Sequence, residues 1–567
     1  MADGAGTRAP AMLRRLVPRR YVFGGLCGAL VSLWLSLTPS LLPRGWLFQG
    51  VVSGASVALG YGLGVLLSAA LRRVIARESS PAFKRWAWRT LVVVALIGTV
   101  AILAWFGLWQ RELRELMGAA SFPRYGYVLV PVSALVFAVL FIALGRTMRR
   151  VTAMVTAVLN RIVPPAVSAV VAVLLVIGVT IGVLNGVVVR ATMSGLNESF
   201  AAINDETDPE TAQPTSPLRS GSRESVVTWA SLGKQGRSFV SSGPSAQQLR
   251  AFNNASPQEP IRAYAGLASA GGYGAEADLV VDDLERAGAF ERAVIAVGTT
   301  TGTGWVNEST VSALEYMYNG DTAVASMQYS YLPSPISFLV DKERARAAGQ
   351  ALFEAVYARW HVLPEDSRPK LVVFGESLGS FGAEAPFTSI EDLAARADGA
   401  LFIGPTYTNE VWQKTSADRA PGSPQWLPIY KDGSTARFIA GADDLSRPDT
   451  DWPSPRVVYL QYPSDPITWW SPHLPFRKPD WLREARGRDV LDSMQWIPVI
   501  TFLQVSADMA VSNDVPDGHG HTFHADIADS WAAILQPTQW SADQTLRLRE
   551  LLTERRRVSS GLSMHDR

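Results

Sequence analysis

The residues able to do covalent chemistry fall in three short stretches. GESLG, residues 375–379, sets Ser377 between two glycines in the pattern G-x-S-x-G. VPDGHGHTFH, residues 515–524, holds three of the six histidines of the chain, His519, His521 and His524. YLQYPSDPITWW, residues 459–470, places Asp465 in a turn bounded by Pro463 and Pro466. A serine hydroxyl is too weak an acid to attack an ester unaided, so a histidine must take its proton and a carboxylate must orient that histidine. These stretches supply all three groups in the order serine, acid, histidine. His519 and His521 each follow a glycine that lets the loop bend back toward the nucleophile; both are candidates for the base, with His521 favoured.

Other assignments of the same residues are weaker. Asp492, Asp508 and Asp514 are alternative acids, but Asp492 reads as helical and the other two follow the last strand-like run. His519, His521 and His524 with Asp517 or Asp526 have spacing compatible with a metal, yet no second ligand cluster accompanies them, so neither metal nor cofactor is expected. The anionic oxygen formed in acyl transfer needs two preorganised donors. One is expected from the backbone N–H of Leu378, the other from Thr299 or Thr300 in the loop GTTTGTGW, residues 298–305. That loop resembles a phosphate cradle, but no lysine follows its glycines as nucleotide binding would require. Trp469, Trp470, Trp481 and Trp496 could line an acyl-binding surface, although ordinary packing explains them as well.

A serine held this way needs a strand that turns abruptly into a helix. KLVVF, residues 370–374, and the small-residue start SFGAEA, residues 380–385, provide both sides of that elbow. Around it, RAVIAV (292–297), TAVASMQYSYL (322–332), ALFIGP (400–405), RVVYLQY (456–462) and WIPVITFLQV (496–505) read as buried strands. STVSALEYMY (309–318) and residues 341–360 read as helices. Such alternation predicts a mostly parallel β-sheet flanked by helices, with ligands at the carboxyl ends of the strands. The histidine loop is then expected after a final strand, with one helix and one strand between it and Asp465.

The first third differs in kind. Five apolar stretches, about 21–39, 49–70, 88–109, 125–145 and 166–189, each reach the 20 or so residues that a membrane-crossing helix needs, which predicts about five transmembrane helices. Residues 151–164 are either the end of the fourth helix or a separate interfacial helix. Arginines and lysines crowd the segment before span one (Arg8, Arg14, Arg15, Arg19, Arg20), the second-to-third connection (Arg72, Arg73, Arg77, Lys84, Arg85, Arg89) and the fourth-to-fifth (Arg146, Arg149, Arg150, Arg161). Basic-rich loops stay in the cytoplasm, which predicts an inside amino terminus and an extracytoplasmic carboxyl-terminal domain. The polar stretch from 203 to 225 reads as linker, giving a transmembrane domain over 1–190, a linker over 191–226 and a catalytic domain over 227–567. The lone Cys27 permits no intrachain disulfide, and a net charge of +1 over 567 residues gives no electrostatic reason to expect nucleic acid.

Taken together, SLTPSLLPRGW, GRSFVSSGP (236–244), PIRAYAGL, TGTGWVNES, QYSYLPS, GESLGS and DGHGH make the chain resemble the bacterial membrane-anchored α/β-hydrolase proteins that carry an amino-terminal multispan region. The resemblance runs from about residue 36 to about 531. It implies an α-helical transmembrane domain joined to an α/β-hydrolase fold, and a serine hydrolase without a named substrate. Tethering favours membrane lipids or acylated envelope glycans over soluble esters, because it raises their local concentration. The alternatives are an acyltransferase using the same acyl-enzyme, a degenerate sensor or scaffold, and a transporter. Few intramembrane charges argue against transport. Nothing in the sequence points to an oligomeric state.

Overall fold

The computed structural model describes residues 22–74, 80–182, 200–209 and 211–559. The basic amino-terminal segment, Arg77, the end of the fifth apolar stretch at 183–189 and residues 191–199 lie outside this description. The chain forms two compact units. One comprises residues up to Ala191 together with Pro472–Lys478 and Leu491–Val511, and the other holds the remainder. The division is therefore not the single cut at 191–226 that composition suggests.

Five helices, α1 (Phe23–Ser36), α2 (Trp46–Val74), α3 (Pro81–Leu116), α4 (Gly126–Leu159) and α5 (Pro165–Gly182), occupy the five apolar stretches of the first unit. Three of them, α2, α3 and α4, are long and apolar enough to cross a membrane. At 14 residues α1 is roughly 21 Å long, short of the 30 Å or so of a hydrocarbon layer. Residues 151–159 continue α4 without a break, so they are the end of that helix. Its neighbour α3 turns Leu96, Ile97 and Val100 outward, each more than 60% exposed, an arrangement suited to hydrocarbon rather than water. Helices α1 and α2 pack through small residues: a Cβ on Gly28 would lie 2.2 Å from the carbonyl oxygen of Gly60, and one on Gly64 would lie 2.1 Å from that of Gly24. Such close backbone approach is how helices associate where apolar burial gives no advantage.

The helix Ile500–Met509 belongs to this unit and packs on α1 and α2. WIPVITFLQV is thus not a strand. An apolar run of this length fits a buried helix as well as a strand, and here Pro498 removes a ladder donor while Val499, at φ 64°, turns the chain into the helix. Two polar side chains tie the helix to the loop between α1 and α2. Gln504 Nε2 donates to the carbonyl of Thr38 at 2.9 Å. Asp508 accepts from the Ser40 hydroxyl and from the backbone N–H of Leu41 at 3.2 Å, and Arg44 Nε lies 3.3 Å from its other oxygen. Ser40, Arg44 and Asp508 are all essentially inaccessible.

In the second unit seven strands form one sheet: β1 (Ile261–Ala265), β2 (Val294–Thr299), β3 (Thr322–Met327), β4 (Lys370–Glu376), β5 (Gly399–Ile403), β6 (Ala436–Ile439) and β7 (Arg456–Leu460). Their order is β1-β3-β2-β4-β5-β7-β6, and every pairing is parallel. Crossover helices include α6 (Tyr273–Arg286), α7 (Glu308–Met317), α8 (Lys342–Trp360) and α9 (Leu378–Glu384), and α10 (Ile527–Leu535), after the last strand, packs on β5 and β7. A run of strands buried on both faces is what such coverage requires. Polar residues from the stretch read as linker also lie along the edge strand. Ser220 N–H donates to the Arg262 carbonyl at 3.0 Å, and the hydroxyls of Ser220 and Ser225 donate to Asp283 of α6.

Candidate active site

Strand β4 lies near the centre of the sheet, between β2 and β5, and ends at Glu376, immediately before Ser377. Ser377 has φ 56° and ψ −123°, outside the regions open to ordinary side chains, and α9 begins at the next residue. Strain of this kind persists only where the surroundings enforce it, and it projects the side chain from the turn. Both glycines are sterically required. A Cβ on Gly375 would sit 2.2 Å from the Gly379 carbonyl oxygen, and one on Gly379 would sit 2.4 Å from that of Thr299. The second contact brings the end of β2 against the start of α9, so Thr299, Thr300 and Leu378 gather around the elbow. Gly379→Ala is expected to cost about 1–3 kcal/mol of stability through overpacking. The displaced elbow should lose turnover beyond that cost; wild-type turnover in the folded variant would show that the close approach has no catalytic role.

Asp465 follows β7 and caps the short helix Pro466–Trp469. Its Oδ1 accepts from Ile467 N–H at 2.8 Å; its Oδ2 accepts from the Thr468 hydroxyl at 3.0 Å and stands 2.7 Å from His521 Nδ1. With two other donors fixing the carboxylate, the imidazole meets an acceptor that cannot swing away. Both residues are buried. The ring packs edge-on to Phe523 and against Gly404, where a Cβ would lie 2.6 Å from Cε1. Gly404 follows Ile403, whose carbonyl accepts the Ser377 N–H at 2.9 Å, so histidine and serine occupy the same edge of the sheet. His521 Nε2 is buried and makes no hydrogen bond, to Ser377 or to any other described residue. Catalytic hydrogen bonds of this type are often open before substrate binds. Burial disfavours the imidazolium, but the Asp465 charge, the hydrogen bond to it and the Glu376 charge outweigh that, so His521 titrates above the ordinary imidazole value.

The other histidines take different partners. His519 Nδ1 lies 3.1 Å from Asp489 Oδ2, and His524 Nδ1 lies 3.2 Å from the Ser309 hydroxyl. Of the weaker acids, Asp508 belongs to the helical unit beside Arg44, while Asp492 and Asp514 are exposed. The expected strand between acid and histidine is absent among the described residues; only helical segments, the longest of them Ile500–Met509, separate the Asp465 turn after β7 from the histidine loop. Trp469 and Trp481 are buried and tilt against one another at 6.1 Å, as core residues do. Trp496 belongs to the helical unit, where its indole N–H donates to the Leu474 carbonyl, and Trp470 packs edge-on against Phe338. Sequence reasoning did not find Asp489, Ser464 or Gly404. Ser464 stands next to a chosen residue, but Asp489 in GRDV carries no motif.

Comparison with known families agrees with this geometry. No curated protein gave a significant sequence match. The profile of the Alpha/beta-hydrolase family N-terminus matches residues 37–244, and that of the Alpha/beta-hydrolase family matches residues 261–548, from β1 past α10. With its all-parallel sheet, its strand–serine–helix elbow and more than half of its length matched, the chain belongs to the alpha/beta-hydrolase family.

Proposed function

We propose that this protein is a membrane-anchored serine hydrolase that cleaves acyl esters of lipids or envelope glycans. The observation that carries the reading is the buried Asp465–His521 pair, whose free Nε2 lies on the edge of the sheet that presents Ser377. In the reaction His521 Nε2 takes the Ser377 proton as Oγ attacks the ester carbonyl, and Asp465 holds Nδ1–H and stabilises the imidazolium. Leu378 N–H and a backbone donor at Thr299 or Thr300 receive the oxyanion. Collapse expels the alcohol, which takes the proton from Nε2, and water activated by the same histidine releases the acid. A sugar hydroxyl in place of that water would make the enzyme an acyltransferase. The apolar helices hold the site at a membrane, and the basic loops favour an extracytoplasmic face.

The test is labelling of full-length protein in membranes with a fluorophosphonate, which phosphonylates an activated serine with loss of fluoride. Wild type should label and Ser377→Ala should not. Absence of labelling in wild type, beside a control hydrolase that labels, removes Ser377 as nucleophile.

A further inference from the structure

Close to the Asp465–His521 pair lies a second set of buried polar groups that the mechanism above does not use. Asp489 is inaccessible and its Oδ2 accepts twice, from the Ser464 hydroxyl at 2.5 Å and from His519 Nδ1 at 3.1 Å. Its Oδ1 is buried with no hydrogen-bond partner. Ser464, also inaccessible, accepts in turn from the backbone N–H of Gly520 at 2.8 Å. Ser464 immediately precedes the acid Asp465, and Gly520 immediately precedes the base His521. Asp489 comes from a third segment of chain and bonds to both loops.

We propose that Ser464 and Asp489 form a clamp that sets the spacing between acid and base, with Asp489 as a positioning residue for the reaction at Ser377. The proposal rests on the serine-hydrolase reading. The run Gly520 N–H to Ser464 Oγ, Ser464 O–H to Asp489 Oδ2, and His519 Nδ1–H to the same oxygen joins two loops that are 56 residues apart in sequence. Without it, the His521–Asp465 bond would be the hydrogen bond left between the two loops, beside the stacking of Phe523 on Tyr462, and that bond must tolerate a change of charge on the ring in each cycle. A clamp that lies outside the proton-transfer path leaves the geometry unchanged while His521 gains and loses its proton. The unpartnered Oδ1 supports this role. Orphaned buried carboxylate oxygens are costly, and one retained beside a catalytic pair is more readily explained by that pair than by stability.

The experiment compares Ser464→Ala, Asp489→Ala and Asp489→Asn in the full-length protein, scored by fluorophosphonate labelling rate and by hydrolysis of a p-nitrophenyl acyl ester across pH. Misplacement of a base by a fraction of an ångström to one ångström costs up to about 100-fold, so Ser464→Ala and Asp489→Ala are expected to lower kcat about 10- to 100-fold. KM should change by no more than about twofold, since no substrate contact is removed. In both variants the acid limb of kcat/KM should move down toward the ordinary imidazole value, because His521 no longer sits tightly on Asp465. Asp489→Asn, which can keep an acceptor oxygen toward Ser464 and His519, should recover most of kcat. If Asp489→Ala does not fold, Ser464→Ala decides alone. Wild-type labelling and an unchanged acid limb in folded Ser464→Ala would overturn the clamp while leaving Ser377 as nucleophile. Failure of wild type itself to label removes the hydrolase reading and the clamp with it.

Discussion

Asp465→Asn is expected to lower kcat about 10⁴-fold while leaving the protein folded, because an amide facing Nδ1 can stabilise the wrong tautomer of His521. In the native protein Asp465 Oδ2 stands 2.7 Å from Nδ1, and Nε2, the atom proposed to take the serine proton, makes no hydrogen bond. His521→Ala should be comparably damaged. His519→Ala should lose far less, since His519 faces Asp489 instead, and equal losses in the two histidine variants would reassign the base. The pH dependence has a definite sign. His521 must be neutral to act as base and titrates above the ordinary imidazole value, so kcat/KM of the wild type should rise with pH through that elevated value. The stability contribution runs the other way. A histidine whose pKa is raised on folding adds stability below its unfolded value, and this is lost as pH rises through the folded one. A wild-type acid limb below the ordinary imidazole value would contradict the paired geometry.

The second large effect concerns the helical unit. Asp508→Ala is expected to cost about 3–5 kcal/mol, the range for removing one partner of a buried ion pair. It leaves the inaccessible Arg44 guanidinium without its carboxylate and removes the acceptor that serves Ser40 and Leu41 N–H. Asp508→Asn keeps one acceptor and should fall between. Thermal unfolding of the solubilised full chain measures both, and an Asp508→Ala midpoint equal to wild type would show that the loop between α1 and α2 is held by other contacts. The loop sequence SLTPSLLPRGW, noticed as a pattern, thus has a physical use: its serine, its arginine and two of its backbone amides converge on one aspartate.

Much of the sheet-bearing unit was legible because its signals are local. Gly375 and Gly379 bracket Ser377 since neither position tolerates a Cβ, and that constraint is written directly as glycine. Asp465 and His521, singled out by order along the chain, lie 2.7 Å apart in the fold. What was missed depends on partners distant in sequence. Strand β1 carries Arg262, whose charge interrupts the apolar run; it is buried all the same because Glu315 and Glu308 meet its guanidinium. Strand β6 is only four residues long and lies at the edge. The helix Ile500–Met509 reads equally well as a strand until Gln504 and Asp508 are seen to bond with residues more than 460 positions earlier. Asp489 was invisible for the same reason, since only the fold brings Ser464 and Gly520 beside it.

The segment between acid and base bears on how the protein can be handled. After Ser471 the chain leaves the sheet-bearing unit for Pro472–Lys478, returns, and leaves again for Leu491–Val511 before reaching His521. Genetic removal of everything before the sheet therefore does not yield a trimmed second unit. It yields one carrying an orphaned helix, with the apolar face and the Gln504 and Asp508 side chains of that helix stripped of their counterparts, inserted in the stretch that leads to His521. The helical unit and the sheet-bearing unit are interleaved in the gene, and a protein built this way is passed on, expressed and purified whole.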